Sequence, residues 1–402
     1  MSKKILIFSL TYHPFIGGAE VAIKEITDRI SETDISFDMI TLRFNSELPK
    51  VERFGNVTIH RIGFTKKGAD IGDGVKFPLF LNKYLFPILA LVKAVLLHRK
   101  NKYDTTWCML ANYATVGALF FKWLNPQTPY ILTLQDGSSA DQIKARTGVL
   151  FPLLKRGFIN ADMIQVISTF LVGVARDIGY EGKVEVVPNA VDTAHFSQVY
   201  SDDELSKLKS DLKLENDKKY LITTTRLVLT RGVEDIIGAL PHLSENVHFL
   251  VLGTGPDEDA LRKVAKENNV TERVHFVGHV DHSELPKYLR VADIFVRPST
   301  IEGFGNSFVE AMAAEIPVVA TPVGGIPDFL FDPEKSPNKP STGLFCNVRD
   351  SESIAVQVKR IFDDENLASE LVGNASKLAK EKYDWNLIAK DMRQKVFGEI
   401  LK

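Results

Sequence analysis

Short apolar runs stopped by proline, glycine or polar clusters recur along this chain, with stretches of helical apolar spacing between them. Strands are expected at residues 4–9, 37–42, 57–62, 105–110, 130–134, 163–167 and 184–187. A second series follows at 220–225, 247–252, 274–277, 293–296, 317–320 and 344–346. Such alternation is the pattern of an α/β protein built on parallel sheets. With 402 residues the chain exceeds what one core organises, so two domains are expected. A turn-like segment, Pro188-Asn189-Ala190-Val191-Asp192, closes the first series, which places the domains at 1–192 and 193–384. The charged helical stretch 201–214 leads into the second sheet. Residues 385–400 read as an amphipathic helix, and 332–342 as an exposed loop.

Composition removes several function classes. A net charge of −2 gives no reason to propose a nucleic-acid partner. Cys108 and Cys346 lie in segments that read as strands of different halves, so buried thiols are expected instead of a disulfide, and no metal-ligand spacing exists. The start of the chain, Lys3-Lys4 and then a short strand, has no signal-peptide cleavage pattern. No apolar run reaches the roughly 18 residues a bilayer-spanning helix needs, and a cytoplasmic location is expected. The segment 77–100 is nonetheless heavily apolar. It reads either as a core helix or as an interfacial helix making peripheral contact with a membrane.

Chemistry concentrates at Glu302-Gly303-Phe304-Gly305-Asn306-Ser307-Phe308-Val309-Glu310. The preceding residues 292–298 read as a buried strand stopped by proline, residues 307–314 carry helical spacing, and 316–320 read as another strand. The two carboxylates therefore sit on a strand–loop–helix corner at the carboxyl edge of a sheet, where open α/β sheets bind ligands. A helix mouth offers free N–H groups to a phosphate, and carboxylates accept hydrogen bonds from sugar hydroxyls. A glutamate in a loop or first helical turn is common on solubility and dipole grounds. The whole string, continuing through Ala311-Met312-Ala313-Ala314 to Gly324-Gly325-Ile326-Pro327, carries more than either residue alone.

That string resembles the Glu-x7-Glu signature of glycosyltransferase family 4, the group 1 type. The family implies a GT-B fold, in which two Rossmann-like domains with parallel sheets face across a cleft, and a final helix (385–402 here) that packs back onto the first domain. It implies a retaining, metal-independent hexosyltransferase of cell-surface polysaccharide or glycolipid assembly. The co-substrate would be a UDP- or GDP-linked sugar and no cofactor is implied; the acceptor would be a glycan or lipid-linked. In Thr225-Arg226-Leu227-Val228-Leu229-Thr230-Arg231-Gly232, Arg226 matches the family arginine and Arg231 stands where lysine is usual. Both would contact the diphosphate and stabilise charge as the sugar–phosphate bond breaks. By resemblance Glu302 contacts sugar hydroxyls and Glu310 the ribose, while backbone groups of Phe304, Gly305 and Asn306 hold sugar and phosphate. Gly253-Thr254-Gly255-Pro256 looks like the family turn flanking the nucleotide, and His279 lies in the segment that meets the base. Asp257-Glu258-Asp259 opens a helix, where acidic residues suit the dipole.

Gly17-Gly18-Ala19-Glu20 follows the first strand and opens the first helix, expected over 19–30; paired glycines let a backbone approach a ligand. With Tyr12-His13-Pro14-Phe15-Ile16 it resembles the family loop that faces donor phosphate and acceptor. His13 is accordingly an acceptor-side candidate. Many family members carry a histidine near the position of Gln135, at the end of a strand. Glutamine cannot act as a general base, which leaves Asp136 as the nearest titratable group. Two rivals remain: a nucleotide-sugar epimerase of the same fold, and a non-catalytic nucleotide-sugar or glycan-binding protein.

Overall fold

The computed structural model describes residues 2–15, 17–70 and 72–402; Ile16, within the diglycine loop motif, lies outside them. The chain divides into two compact units: residues up to Asn189 with Trp385–Lys402, and Ala190–Asp384. Each is a sheet covered by helices, parallel throughout in the second unit and but for one edge hairpin in the first.

The first sheet contains β1 (Lys3–Phe8), β2 (Ile35–Leu42), β3 (Val51–Phe54), β4 (Val57–Ile62), β5 (Thr105–Met109), β6 (Tyr130–Leu134), β7 (Met163–Val166) and β8 (Val184–Val186). Their order is β3-β4-β2-β1-β5-β6-β7-β8. Ile5 to Phe8 are buried, as the unbroken apolar run requires of a central strand covered on both faces. Every pair is parallel except β3 with β4, a hairpin at the sheet edge. Apolar periodicity misses β3 because it is four residues long, with Val51 and Arg53 on its exposed side. Its turn needs Gly55: φ is +56°, and a Cβ there would fall 2.0 Å from Asp28 Oδ1.

The last helical segment completes this first unit. Trp385–Asp391 runs through a widened π turn, Met392–Phe397, into Gly398–Ile400. Phe397 lies edge-on to Trp107 of β5, ring centroids 5.1 Å apart, and Arg393 Nη2 meets Asp34 Oδ1 at 2.7 Å.

The segment 77–100 differs from expectation. Leu81–Asn101 is one helix of 21 residues, long and apolar enough by length and composition to cross a membrane, which corrects the judgement that no run reaches that size. Pro87 and Lys93 interrupt the apolar run in sequence but not the helix. It is fixed to its unit by one side. Pro87 and Ala90 pack on Gly117 of the helix Tyr113–Leu124, and Asn82 exchanges hydrogen bonds with Phe64 N (2.7 Å) and O (2.9 Å).

The second sheet contains β9 (Lys219–Thr224), β10 (Val247–Leu252), β11 (Val274–Gly278), β12 (Ile294–Arg297), β13 (Val318–Ala320) and β14 (Leu344–Phe345). The order is β11-β10-β9-β12-β13-β14, all parallel. Its core gathers Leu221, Phe249, Val251, Ile294 and Val296 from the strands, with Ile236, Ile237 and Val358 from the helices. The order reverses at β9. β10 and β11 extend to one side and β12 to β14 to the other, so the loops after β9 and β12 flank a topological switch point. Cys108 and Cys346 are buried thiols, one in each unit, and burial pushes both up to about 12. Asp332 corrects the picture of 332–342 as wholly exposed: it is buried and accepts from the N–H groups of Glu334, Lys335 and Phe345.

Candidate functional site

Because the second sheet is parallel throughout, the loops after β9, β10, β11, β12 and β13 leave from one edge. Arg226 and Arg231 follow β9, Gly253 and Gly255 follow β10, His279 follows β11, and Glu302 follows β12.

Glu302 is the best-defined group there. Arg297, the last residue of β12, donates from Nη2 to Glu302 Oε2 at 2.5 Å; Arg231 donates from Nη1 to the same oxygen at 2.9 Å and to Ile301 O at 3.0 Å. Among the described residues no donor meets Oε1, so one carboxylate oxygen is fixed by two arginines and the other is left to accept. Arg297 is buried, bonds Ser307 Oγ as well, and lies over the Phe308 ring at 5.1 Å. Burial pushes its basicity down, and Glu302 opposes that. Sequence reading passed over Arg297, since a strand end before proline carries no signal of its own. Its partners, five and ten residues on, meet it only when the corner folds.

The helix Asn306–Ala313 starts at Gly305, whose φ of +92° admits no ordinary side chain; a Cβ would sit 2.5 Å from the Phe308 ring. Phe304 turns into the core against Phe329 and Tyr383, ring centroids 5.0 and 5.5 Å away, and the whole residue is buried. Gly324 is required by packing: a Cβ there would fall 1.7 Å from Glu302 O. Glu310, buried in the same helix, accepts from His282 Nε2 at 3.2 Å. His279 is instead exposed beside Asp281, at 3.5 Å. Of the two histidines, then, the one three residues further on meets Glu310.

Gly253 and Gly255 act on the neighbouring loop. A Cβ at Gly253 would fall 1.9 Å from Thr225 O, and one at Gly255 2.1 Å from Leu227 O. Leu227 N–H donates to Thr254 O at 3.0 Å, and Asp257 Oδ2 accepts from Leu229 N–H at 2.8 Å. The turn thus clasps the backbone on either side of Arg226, whose own side chain is exposed. Asp257 is consumed in that clasp.

Candidates from the first unit lie at the ends of β1 and β6. Gly17 caps the helix Gly18–Asp28 with extended backbone. The mouth of that helix already holds a carboxylate: Glu20 accepts from the Gly17 N–H, bonds Thr11 Oγ1, and is pushed up by burial. His13 stacks on Phe54 of β3 at 3.8 Å, its carbonyl accepts from Arg61 Nη2 at 2.7 Å, and burial lowers its pKa. Gln135 Oε1 accepts from Asn189 Nδ2 at 3.4 Å. Burial raises Asp136, but Arg146 and Ser138 outweigh it and hold the carboxyl below its usual range. An ionised carboxylate so engaged is a weak proton acceptor near neutral pH.

Two family models match along the chain: Glycosyltransferase Family 4 over residues 16–195, and Glycosyl transferases group 1 over residues 206–378. The chain belongs to the group 1 glycosyl transferases. An uncharacterized glycosyltransferase of Methanocaldococcus jannaschii is 26% identical over 399 residues, 96% of each chain. Among solved structures, the sucrose-phosphate synthase of Thermosynechococcus elongatus superposes with a TM-score of 0.78 at 21% identity, covering 99% of this chain and 100% of that one. Anabaena HepE in complex with UDP-glucose does so at 0.76 and 19%, covering 98% and 99%. The fold is GT-B, and the protein is a glycosyltransferase.

Proposed function

We propose that this glycosyltransferase moves a hexosyl group from a UDP- or GDP-linked sugar to an acceptor hydroxyl, with retention of anomeric configuration and without a metal. The observation that carries this reading is the fixing of buried Glu302 by Arg231 and Arg297, beside the switch point of the second sheet. In the proposed roles, Arg226 and Arg231 take the diphosphate, and Glu302 Oε1 accepts from a sugar hydroxyl. Glu310 accepts from the ribose, with His282 as its neighbour. The GT-B likeness to HepE, whose complex holds UDP-glucose, supports a nucleotide sugar as donor.

The acceptor oxygen bonds the anomeric carbon as the bond to the diphosphate oxygen breaks, through an oxocarbenium-like transition state. The departing phosphate takes the hydroxyl proton, so neither Gln135 nor Asp136 is required as a base. Negative charge grows on the diphosphate, where preorganised cations act most strongly; loss of one such group costs about 10²–10³ in kcat. The acceptor is a glycan or lipid-linked saccharide, as in polysaccharide or glycolipid assembly.

Donor consumption across a panel of nucleotide sugars, with and without saccharide acceptors, tests the reading. Turnover that requires an acceptor, and that Arg226→Ala slows about a hundredfold, is expected. Donor loss of equal rate without acceptor would point to an epimerase. Full activity in Arg226→Ala would remove the diphosphate assignment.

A further inference from the structure

The helix Leu81–Asn101 carries apolar residues on its packed side and on its outward side, yet only a third of its most apolar window is buried. Such a helix belongs in a core or against lipid. Its inner side is committed to the first unit through Asn82, Pro87 and Ala90. Its outer side carries Tyr84, Ile88, Val92 and Leu96, four residues apart in one row, the last three more than half exposed at 57%, 55% and 58%. Phe77, just before the helix, is 78% exposed. Charge on this segment has one sign. Between Asp73 and Asp104 the sequence holds no acidic residue, while Lys83, Lys93, Arg99, Lys100 and Lys102 are all cationic; Lys76, ahead of the helix, is paired with Asp73 at 2.7 Å.

We propose that this face docks on the surface of a bilayer containing anionic lipid, with the helix lying in the interface. Apolar area flanked by cations is what such a surface binds: acyl chains take the Ile88 row, and anionic headgroups take the lysines and arginines. A spanning orientation would strip the helix from Gly117 and break both Asn82 hydrogen bonds. Pairing with a second copy of this chain would bring cations against cations, with no acid on the segment to offset them.

Co-sedimentation of the full chain with vesicles tests it in the absence of any nucleotide sugar. Vesicles of phosphatidylcholine with about a third phosphatidylglycerol should bind the protein, and pure phosphatidylcholine at least tenfold more weakly. Binding should fall with added salt. The triple variant Ile88→Ser, Val92→Ser, Leu96→Ser should lose at least tenfold in partitioning at an unchanged melting temperature. Arg99→Gln with Lys100→Gln should also lose about tenfold, with a shallower salt dependence. The proposal is overturned by absence of binding to anionic vesicles, by equal binding to neutral ones, or by wild-type binding in the triple variant. It is overturned equally if light scattering shows a dimer that the triple variant makes monomeric.

Discussion

Arg297→Met is the most direct test of how the donor-side corner is held. The guanidinium is buried and reaches Glu302 Oε2 at 2.5 Å, Ser307 Oγ, and the face of Phe308. Methionine retains much of the stem's volume, so the change removes charge and hydrogen bonds more than packing. Taking one partner from a buried ion pair costs about 3–5 kcal/mol, mostly because the other charge is left uncompensated. Here Arg231 still reaches the same carboxylate oxygen at 2.9 Å, which sets the loss near the low end, about 3 kcal/mol. For a folding unit of about 200 residues, each kcal/mol lowers the melting temperature by about 2–4 °C, so a fall of about 6–12 °C is expected by scanning calorimetry. Neutralising the carboxylate, left with one of its two arginines, should then help: Arg297→Met with Glu302→Gln should recover at least half of that fall. A single variant that melts within about 2 °C of wild type, or a double variant no better than the single, would refute the account.

Three further outcomes are expected. Gly253→Ala puts a methyl 1.9 Å from Thr225 O, so it should displace the Arg226 loop and weaken nucleotide-sugar affinity at least tenfold by calorimetric titration; unchanged affinity would mean the clasp does not position that loop. Glu310→Ala should reduce the thermal shift given by a nucleotide sugar while sparing that given by inorganic pyrophosphate, and equal loss of both would count against the ribose assignment. His248 and His275 stack at the amino ends of β10 and β11, Nδ1 and Nε2 2.9 Å apart, near Lys218, Arg273, Glu215 and Glu272; burial, and for His248 the second imidazole, hold both below their ordinary 6.5. The unfolded chain therefore takes up these protons more readily than the folded one. The contribution is complete above about 6.5 and is lost as pH falls below it, so His275→Gln should flatten the decline in melting temperature between pH 7 and 5, and an unaltered slope would contradict it.

Sequence reading captures what is local and periodic. The apolar runs at 57–62, 130–134 and 247–252 are β4, β6 and β10, and the corner from residue 292 to 320 folds as strand, loop, helix and strand. What it misses depends on contacts between distant positions. Arg297 draws its meaning from Ser307 and Glu302, and spacing does not announce that three-body arrangement. Gly253 and Gly255 look like ligand-facing glycines in one dimension; in three, carbonyl oxygens of the Arg226 loop occupy the space their side chains would need. The diglycine mouth likewise looks open to an anion until Glu20, two residues on, is seen turned back over it. β3 escapes because an edge strand of four residues buries too little to impose a pattern, and the stretch at 81–101 stays ambiguous because its sequence is apolar on the side that packs and on the side that does not.

The return of Trp385–Lys402 to the first unit sets an order for synthesis. All eight strands of that unit have been made by Val186, yet Trp107 has no aromatic lid until Phe397 exists, and Asp34 no guanidinium until Arg393 does. At about 5–20 residues per second, the intervening stretch of about 200 residues occupies a ribosome for on the order of 10–40 s. The second unit is contiguous in sequence and carries its whole core within 190–384, so its folding does not depend on the closing helix that the first unit requires. A released chain truncated just after residue 384 should therefore protect its later half from protease better than its earlier one.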